Sequence, residues 1–125
     1  MKCWQGDGWL KGARWVLSPN QGARPAGGAV SLIVLHNISL PPEDFSGNSI
    51  ELFFTNRLDS QAHPYFSTIA GLQVSAHFLV RRDGRVLQFV GCDRRAWHAG
   101  QSCWHGQDNC NDYSLGIELE GSDSQ

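Results

Sequence analysis

The chain has 125 residues, a length that suits one domain with a single core. With 41% hydrophobic residues, 18% charged residues and a net charge of −2, it shows no basic excess, and nucleic acid is not an indicated partner. The longest apolar runs fall far short of the ~18 residues of a membrane span, and "MKCWQGDGWLKGARW" has neither a continuous apolar stretch nor a small-residue cleavage site, so no signal peptide is expected and the protein is placed in the cytoplasm.

In chain order, "SPNQGARPAGGA" (18–29) reads as a loop rich in Gly, Pro and Ala. The first strand is expected at about Ser31 to His36, with Leu32 to Leu35 as a fully buried apolar run that ends, unusually, in His36 and Asn37. "PPEDFSGN" follows as a loop. "NSIELFF" predicts a helix: Asn48 and Glu51 have capping-box-like spacing, and Ile50, Phe53 and Phe54 share one helical face. "HPYFSTIAG" predicts a second short helix, with Pro64 in its first turn and Gly71 at its end.

"SAHFLVRRDGRVLQFV" predicts a hairpin whose two-residue turn is Asp83-Gly84. In "YSLGIELEG", Leu115, Ile117 and Leu119 point to one face of a strand, and Gly116, Glu118 and Glu120 to the other. Strands and helices interleave, which predicts an α/β fold with a sheet packed against helices. Two short helices can cover one sheet face, so the other is expected to be bare and the domain incomplete. No internal repeat or domain boundary is visible, and residues 1–125 read as one domain.

Several residues could carry chemistry. His36, at a strand end, is either a metal ligand or a core imidazole bonded to a carbonyl. Glu118 and Glu120 lie roughly 7 Å apart on one strand face. They are either general acid–base groups raised in pKa by apolar neighbours or two solvated carboxylates. His98, in "RRAWHAG", sits in a loop whose small residues would let a ligand approach, or in a plain surface turn. His77 reads as a structural hydrogen-bonder, His63 as part of a helix start, and His105 has no assigned role. The spacing of Cys3, Cys92, Cys103 and Cys110 matches no paired zinc motif, and they read as plain thiols.

"VLHNISLPP", "SAHFLVRRDGRVLQFV", "RRAWHAG" and "CNDYSLGIELEG", in this order and spacing, resemble the AmpD family of cytoplasmic 1,6-anhydro-N-acetylmuramoyl-L-alanine amidases, zinc enzymes of bacterial peptidoglycan recycling. "GWLKGARWVLSPN" and "LDSQAHPYF" extend the resemblance to about Gly8–Ser124. The resemblance implies a mixed central sheet of the amidase and peptidoglycan-recognition type, a Zn2+ cofactor, an anhydro-muropeptide substrate and a monomer with no membrane partner. It implies that His36 is a zinc ligand, that Glu118 is the general base beside the metal-bound water, and that Asn37, Trp97 and His98 line the substrate groove, with Glu120 structural. It also implies a second histidine and an aspartate as ligands and an assisting lysine, for which this sequence offers no match. The chain therefore reads as the N-terminal portion of the family domain.

Two other readings compete. One is a module that holds muropeptides without cutting them, as relatives lacking zinc ligands would. The other is a glycosidase using Glu118 and Glu120, whose separation overlaps the inverting range of roughly 6.5–9.5 Å, although catalytic pairs flank a bond from opposite sides.

Overall fold

The computed structural model describes residues 8–25 and 29–122. Its elements are β1 (Arg14–Trp15), β2 (Gln21–Ala23), β3 (Leu32–Ile38), α1 (Ser49–Phe54), α2 (Phe66–Ile69), β4 (Phe78–Val80), β5 (Val86–Gln88), β6 (Arg94–Ala96), β7 (Cys103–Trp104), β8 (Gln107–Asp108), a 3-10 turn (Cys110–Asp112) and β9 (Ser114–Glu120). The main sheet has the order β1-β5-β4-β9-β3. Its β3–β9, β4–β9 and β1–β5 pairs are parallel and β4–β5 is antiparallel, so the sheet is mixed, as expected for an α/β domain.

Residues 18–29 are not all loop. Gln21–Ala23 forms β2 and pairs antiparallel with β6. The hairpin forms where the sequence places it, but its loop is one residue longer than an Asp-Gly turn. Arg81 N–H donates to the Arg85 carbonyl and Gly84 N–H to the Arg81 carbonyl, which puts Arg82 and Asp83 at the turn centre. Gly84 follows at φ 91°, a left-handed position that glycine occupies without strain.

Helix α1 buries Ile50, Phe53 and Phe54 as its spacing dictates. Phe54 meets Phe89 edge-on, ring centroids 5.1 Å apart. Phe66 of α2, Leu79, Leu87 and Val90 complete this core, and each such side chain contributes about 1.5–3 kcal/mol by leaving water. The expected capping box does not form. Asn48 makes no side-chain cap bond, and Glu51 is drawn away by Arg81 Nη1 at 2.8 Å. Arg81 also bonds Glu120 through Nη2 at 2.9 Å, and all three side chains are buried.

β3 continues through His36 and Asn37 to Ile38, and it is not fully buried. Ile33 is 59% exposed and Leu35 62%. β3 ends the strand order, and side chains alternate along a strand. In the parallel register Val34, His36 and Ile38 lie beside Gly116, Glu118 and Glu120, while Ile33 and Leu35 lie beside Leu115 and Ile117. The face carrying the carboxylates of β9 is the covered one. Much of the apolar face is open, the reverse of an amphipathic surface strand.

Candidate active site

Central position in the sheet turns β9 into a platform. Glu118 has His36 as its register partner on β3 and Leu79 on β4. All three side chains rise on the side of the helical core. Leu79 goes into the core, while His36 and Glu118 line an open groove of about 750 Å³, in the range of small-molecule sites. His98 and Ser75 stand at the same groove, and Leu40, Phe54, Tyr65 and Ile69 give it an apolar wall. Ser75 is fixed by its hydroxyl, which donates to the Asn20 carbonyl, and Asn20 Nδ2 in turn holds the Val74 carbonyl at 2.8 Å.

Glu118 is 8% exposed, and its carboxyl makes no hydrogen bond among the described residues. Burial disfavours its charged form and pushes its pKa up to about 7. Glu120 differs although it is buried alike. Its Oε2 accepts from Arg81, and its Oε1 accepts from Arg82 N–H at 3.2 Å. It does not line the groove, so the two glutamates do not act as a pair across one ligand.

His36 lines the groove with Nε2 3.1 Å from Nδ1 of His98, and burial lowers its pKa. The other nitrogen of His98 lies 2.9 Å from the Ser114 hydroxyl. The backbone of the His98 loop is held by Asn111, whose Oδ1 accepts from the N–H groups of His98 and Ala99 at 3.1 and 2.9 Å. Arg24 fixes that support by donating to the carbonyls of Asn111, Asp112 and Ser114. Burial, with His36 and His77 nearby, brings the pKa of His98 down to about 3.

His77 is structural, as its strand position suggested. Its Nδ1 accepts from Gly116 N–H at 3.1 Å, and its Nε2–H donates to the Arg94 carbonyl at 2.8 Å. His63 Nδ1 accepts from Tyr65 N–H just ahead of α2. His105 lies in the exposed β7–β8 turn with φ 49°.

Asn37 lines the groove together with His36, His98 and Glu118. Trp97 does not. Its backbone pairs with Ser75 one step behind the groove wall, its N–H on the Ser75 hydroxyl and its carbonyl accepting from Ser75 N–H. Ser114, Asn111 and Arg24 carry no sequence signal that links them to His36. Gly116 is legible only in hindsight, as the small residue between the apolar positions of "LGIE".

The chemistry of the donor set decides whether zinc fits these residues. A catalytic zinc takes three protein ligands and a water. Among the described residues no group of three or more His, Cys, Asp or Glu side chains is placed to hold a metal. Of the ligands implied by the resemblance, His36 alone is present, and the described residues by themselves do not fit a zinc site.

An unpartnered carboxyl with a pKa near neutrality, beside an imidazole in an open groove, is an arrangement that suits hydrolysis. The chain belongs to the N-acetylmuramoyl-L-alanine amidase family, whose model matches residues 26–125. It is 56% identical over 118 residues to the 1,6-anhydro-N-acetylmuramyl-L-alanine amidase AmpD of Escherichia coli K12 and 55% identical to that of Citrobacter freundii. Each match covers 94% of this chain, but only 64% and 63% of those relatives. A crystal structure of a selenomethionine AmpD derivative superposes with a TM-score of 0.93 at 55% identity, over 95% of this chain and 66% of that one. The chain thus spans just under two-thirds of the length of the relatives it matches. No helix among the described residues is long and apolar enough to cross a membrane.

Proposed function

We propose that this domain acts on muropeptides, hydrolysing the amide between the lactyl group of anhydro-N-acetylmuramic acid and the L-alanine of the stem peptide, in peptidoglycan recycling in the cytoplasm. The observation that carries the reading is the Glu118 carboxyl, buried, unpartnered among the described residues and open to the groove beside His36. In this role Glu118 takes a proton from the attacking water as its oxygen bonds to the amide carbon. It returns that proton to the leaving nitrogen as the C–N bond breaks, which yields a free carboxylic acid and a peptide with a new amino terminus. A pKa near 7 suits both transfers. Asn37 and the His98 loop border the ligand, and the apolar wall around Tyr65 and Ile69 excludes water from one side. Zinc would polarise the amide carbonyl and acidify the attacking water. Of the described residues, His36 is the one that would hold it. The domain is taken to act as a monomer.

That the described residues include no three-residue metal group favours a second reading, in which the groove holds a muropeptide without cutting it. Incubation of the chain with an anhydro-muramyl peptide, with and without added zinc, separates the two. The amidase reading expects free peptide beginning with L-alanine, with release at least ~100-fold slower in Glu118→Gln. Binding seen by calorimetry with no released peptide supports the holding module, and equal release by the variant removes Glu118 from the reaction.

A further inference from the structure

Each peptide unit is planar and trans, so its N–H and C=O point in opposite directions. In the loop after β6 this fixes where successive carbonyls go. Trp97 is paired with Ser75 twice: its N–H donates to the Ser75 hydroxyl at 3.1 Å, and its carbonyl accepts from Ser75 N–H at 3.0 Å. The next two N–H groups, of His98 and Ala99, converge on Oδ1 of Asn111. The His98 carbonyl shares its peptide unit with the Ala99 N–H, so it points away from Asn111. It has no hydrogen-bond donor among the described residues, and His98 lines the groove. A backbone carbonyl is a strong acceptor, and one left over where a ligand enters is a place for the ligand's own N–H.

The anchor that aims this carbonyl is itself held on several sides. Arg24 donates to the carbonyls of Asn111 and Asp112. Arg95 Nη1 donates to the Asp112 carboxylate at 2.6 Å, and Cys110 N–H donates to the Ser102 hydroxyl at 2.9 Å. Asn111 therefore has little freedom to follow the loop if the loop moves.

We propose that the His98 carbonyl accepts a hydrogen bond from an amide N–H of a peptide lying in the groove, and that Asn111 is the positioning residue that aims it. The site then distinguishes an amide from an ester at one place along the bound peptide, because an ester has no hydrogen to give. The proposal rests on the muropeptide reading for the identity of the peptide.

The test is calorimetric titration of the chain, carrying Glu118→Gln so that the ligand is not consumed, with an anhydro-muramyl tripeptide. Each stem amide beyond the scissile one is replaced in turn by an ester, which keeps the shape and removes the N–H. One replacement is expected to weaken binding about 3- to 10-fold, the size of a single hydrogen bond. Asn111→Ala is expected to bind the amide no better than that ester. Asn111→Asp, which keeps an oxygen facing the two N–H groups, is expected to restore the amide–ester difference. A merely structural Asn111 would lower the denaturation midpoint and leave the difference intact. That result overturns the proposal, as does a series in which no ester matters or no member binds. If Asn111→Ala does not fold, Asn111→Ser replaces it, since a serine hydroxyl is too short to take both N–H groups. The two readings fail separately. Peptide release by the chain with Glu118 intact, together with a flat ester series, would leave the amidase standing without this contact, and an ester effect without release would do the reverse.

Discussion

His98 rests on Gly116: its Cδ2 sits 2.5 Å from where a β-carbon on that glycine would lie. The glycine of "LGIE" thus sets how closely the His98 ring approaches β9. Gly116→Ala must push the ring away or lift β9, and overpacking of this kind costs about 1–3 kcal/mol. Chemical denaturation is expected to show that loss, together with disturbed His36 and His98 ring signals. An unchanged midpoint with unchanged signals would mean that the ring has room.

Glu118 carries a stability cost that the role proposed for it would require. Its pKa rises from 4.5 when unfolded to about 7 when folded, so the folded chain binds the extra proton. Stability therefore falls as pH rises from about 4.5 to about 7 and levels off above, by an amount on the order of 2–3 kcal/mol. Glu118→Gln is expected to be the more stable protein at mildly alkaline pH by a similar amount, and to lose amidase activity. Urea midpoints measured across that range check it, and a variant no more stable than wild type at high pH would argue for a solvated carboxylate.

His77 works in the opposite direction and in a lower window. Burial takes its pKa from 6.5 to about 4, so the unfolded chain binds the proton first. Stability is full above about 6.5 and declines as pH falls toward about 4, by about 3 kcal/mol from this group, with His98 adding to the slope. His77→Phe leaves Gly116 N–H and the Arg94 carbonyl without partners and is expected to cost about 2–4 kcal/mol at neutral pH. A cost below about 1 kcal/mol would show that water or backbone shifts replace the imidazole.

Arg81 joins α1 to β9 through Glu51 and Glu120, all buried. Arg81→Met leaves two carboxylates facing each other without a cation and is expected to destabilise by about 3–5 kcal/mol. Restoring fit by changing both glutamates to glutamine in the same chain is expected to recover part of that loss. No recovery would mean that the aliphatic stem and the bond to the Gly47 carbonyl matter more than the charge.

Ile33 and Leu35 stand open on the outer sheet face, and contiguous exposed apolar surface favours association. Light scattering is expected to show concentration-dependent growth that Leu35→Lys reduces without lowering the denaturation midpoint. A monomer at high concentration, with no benefit from the lysine, would show that this face is harmless.

Much of this structure was legible in local patterns. The Ile50, Phe53, Phe54 face, the hairpin and the two-sided alternation of "SLGIELE" follow from periodicity, and the structure keeps them. Orientation was not legible. Alternation says that Glu118 and Leu119 face opposite ways, but not which side receives the helices, and here the carboxylates won it. The buried run of β3 misled because a continuous apolar strand reads the same whether one or both faces are covered. The capping box failed because Arg81, thirty positions away in the chain, is the stronger partner for Glu51. At the site, His36 and Glu118 could be named from the sequence, and the groove brings both together. Ser114, Asn111 and Arg24 could not, since their roles exist only once β9, the 3-10 turn and the His98 loop are folded against one another.

The most direct test of Glu118 as a poised base is a carbon-13 NMR titration of its side-chain carboxyl in the folded chain. A midpoint at about 7 is the expected result. A midpoint near 4.5, the value of a solvated glutamate, would contradict the role assigned to it.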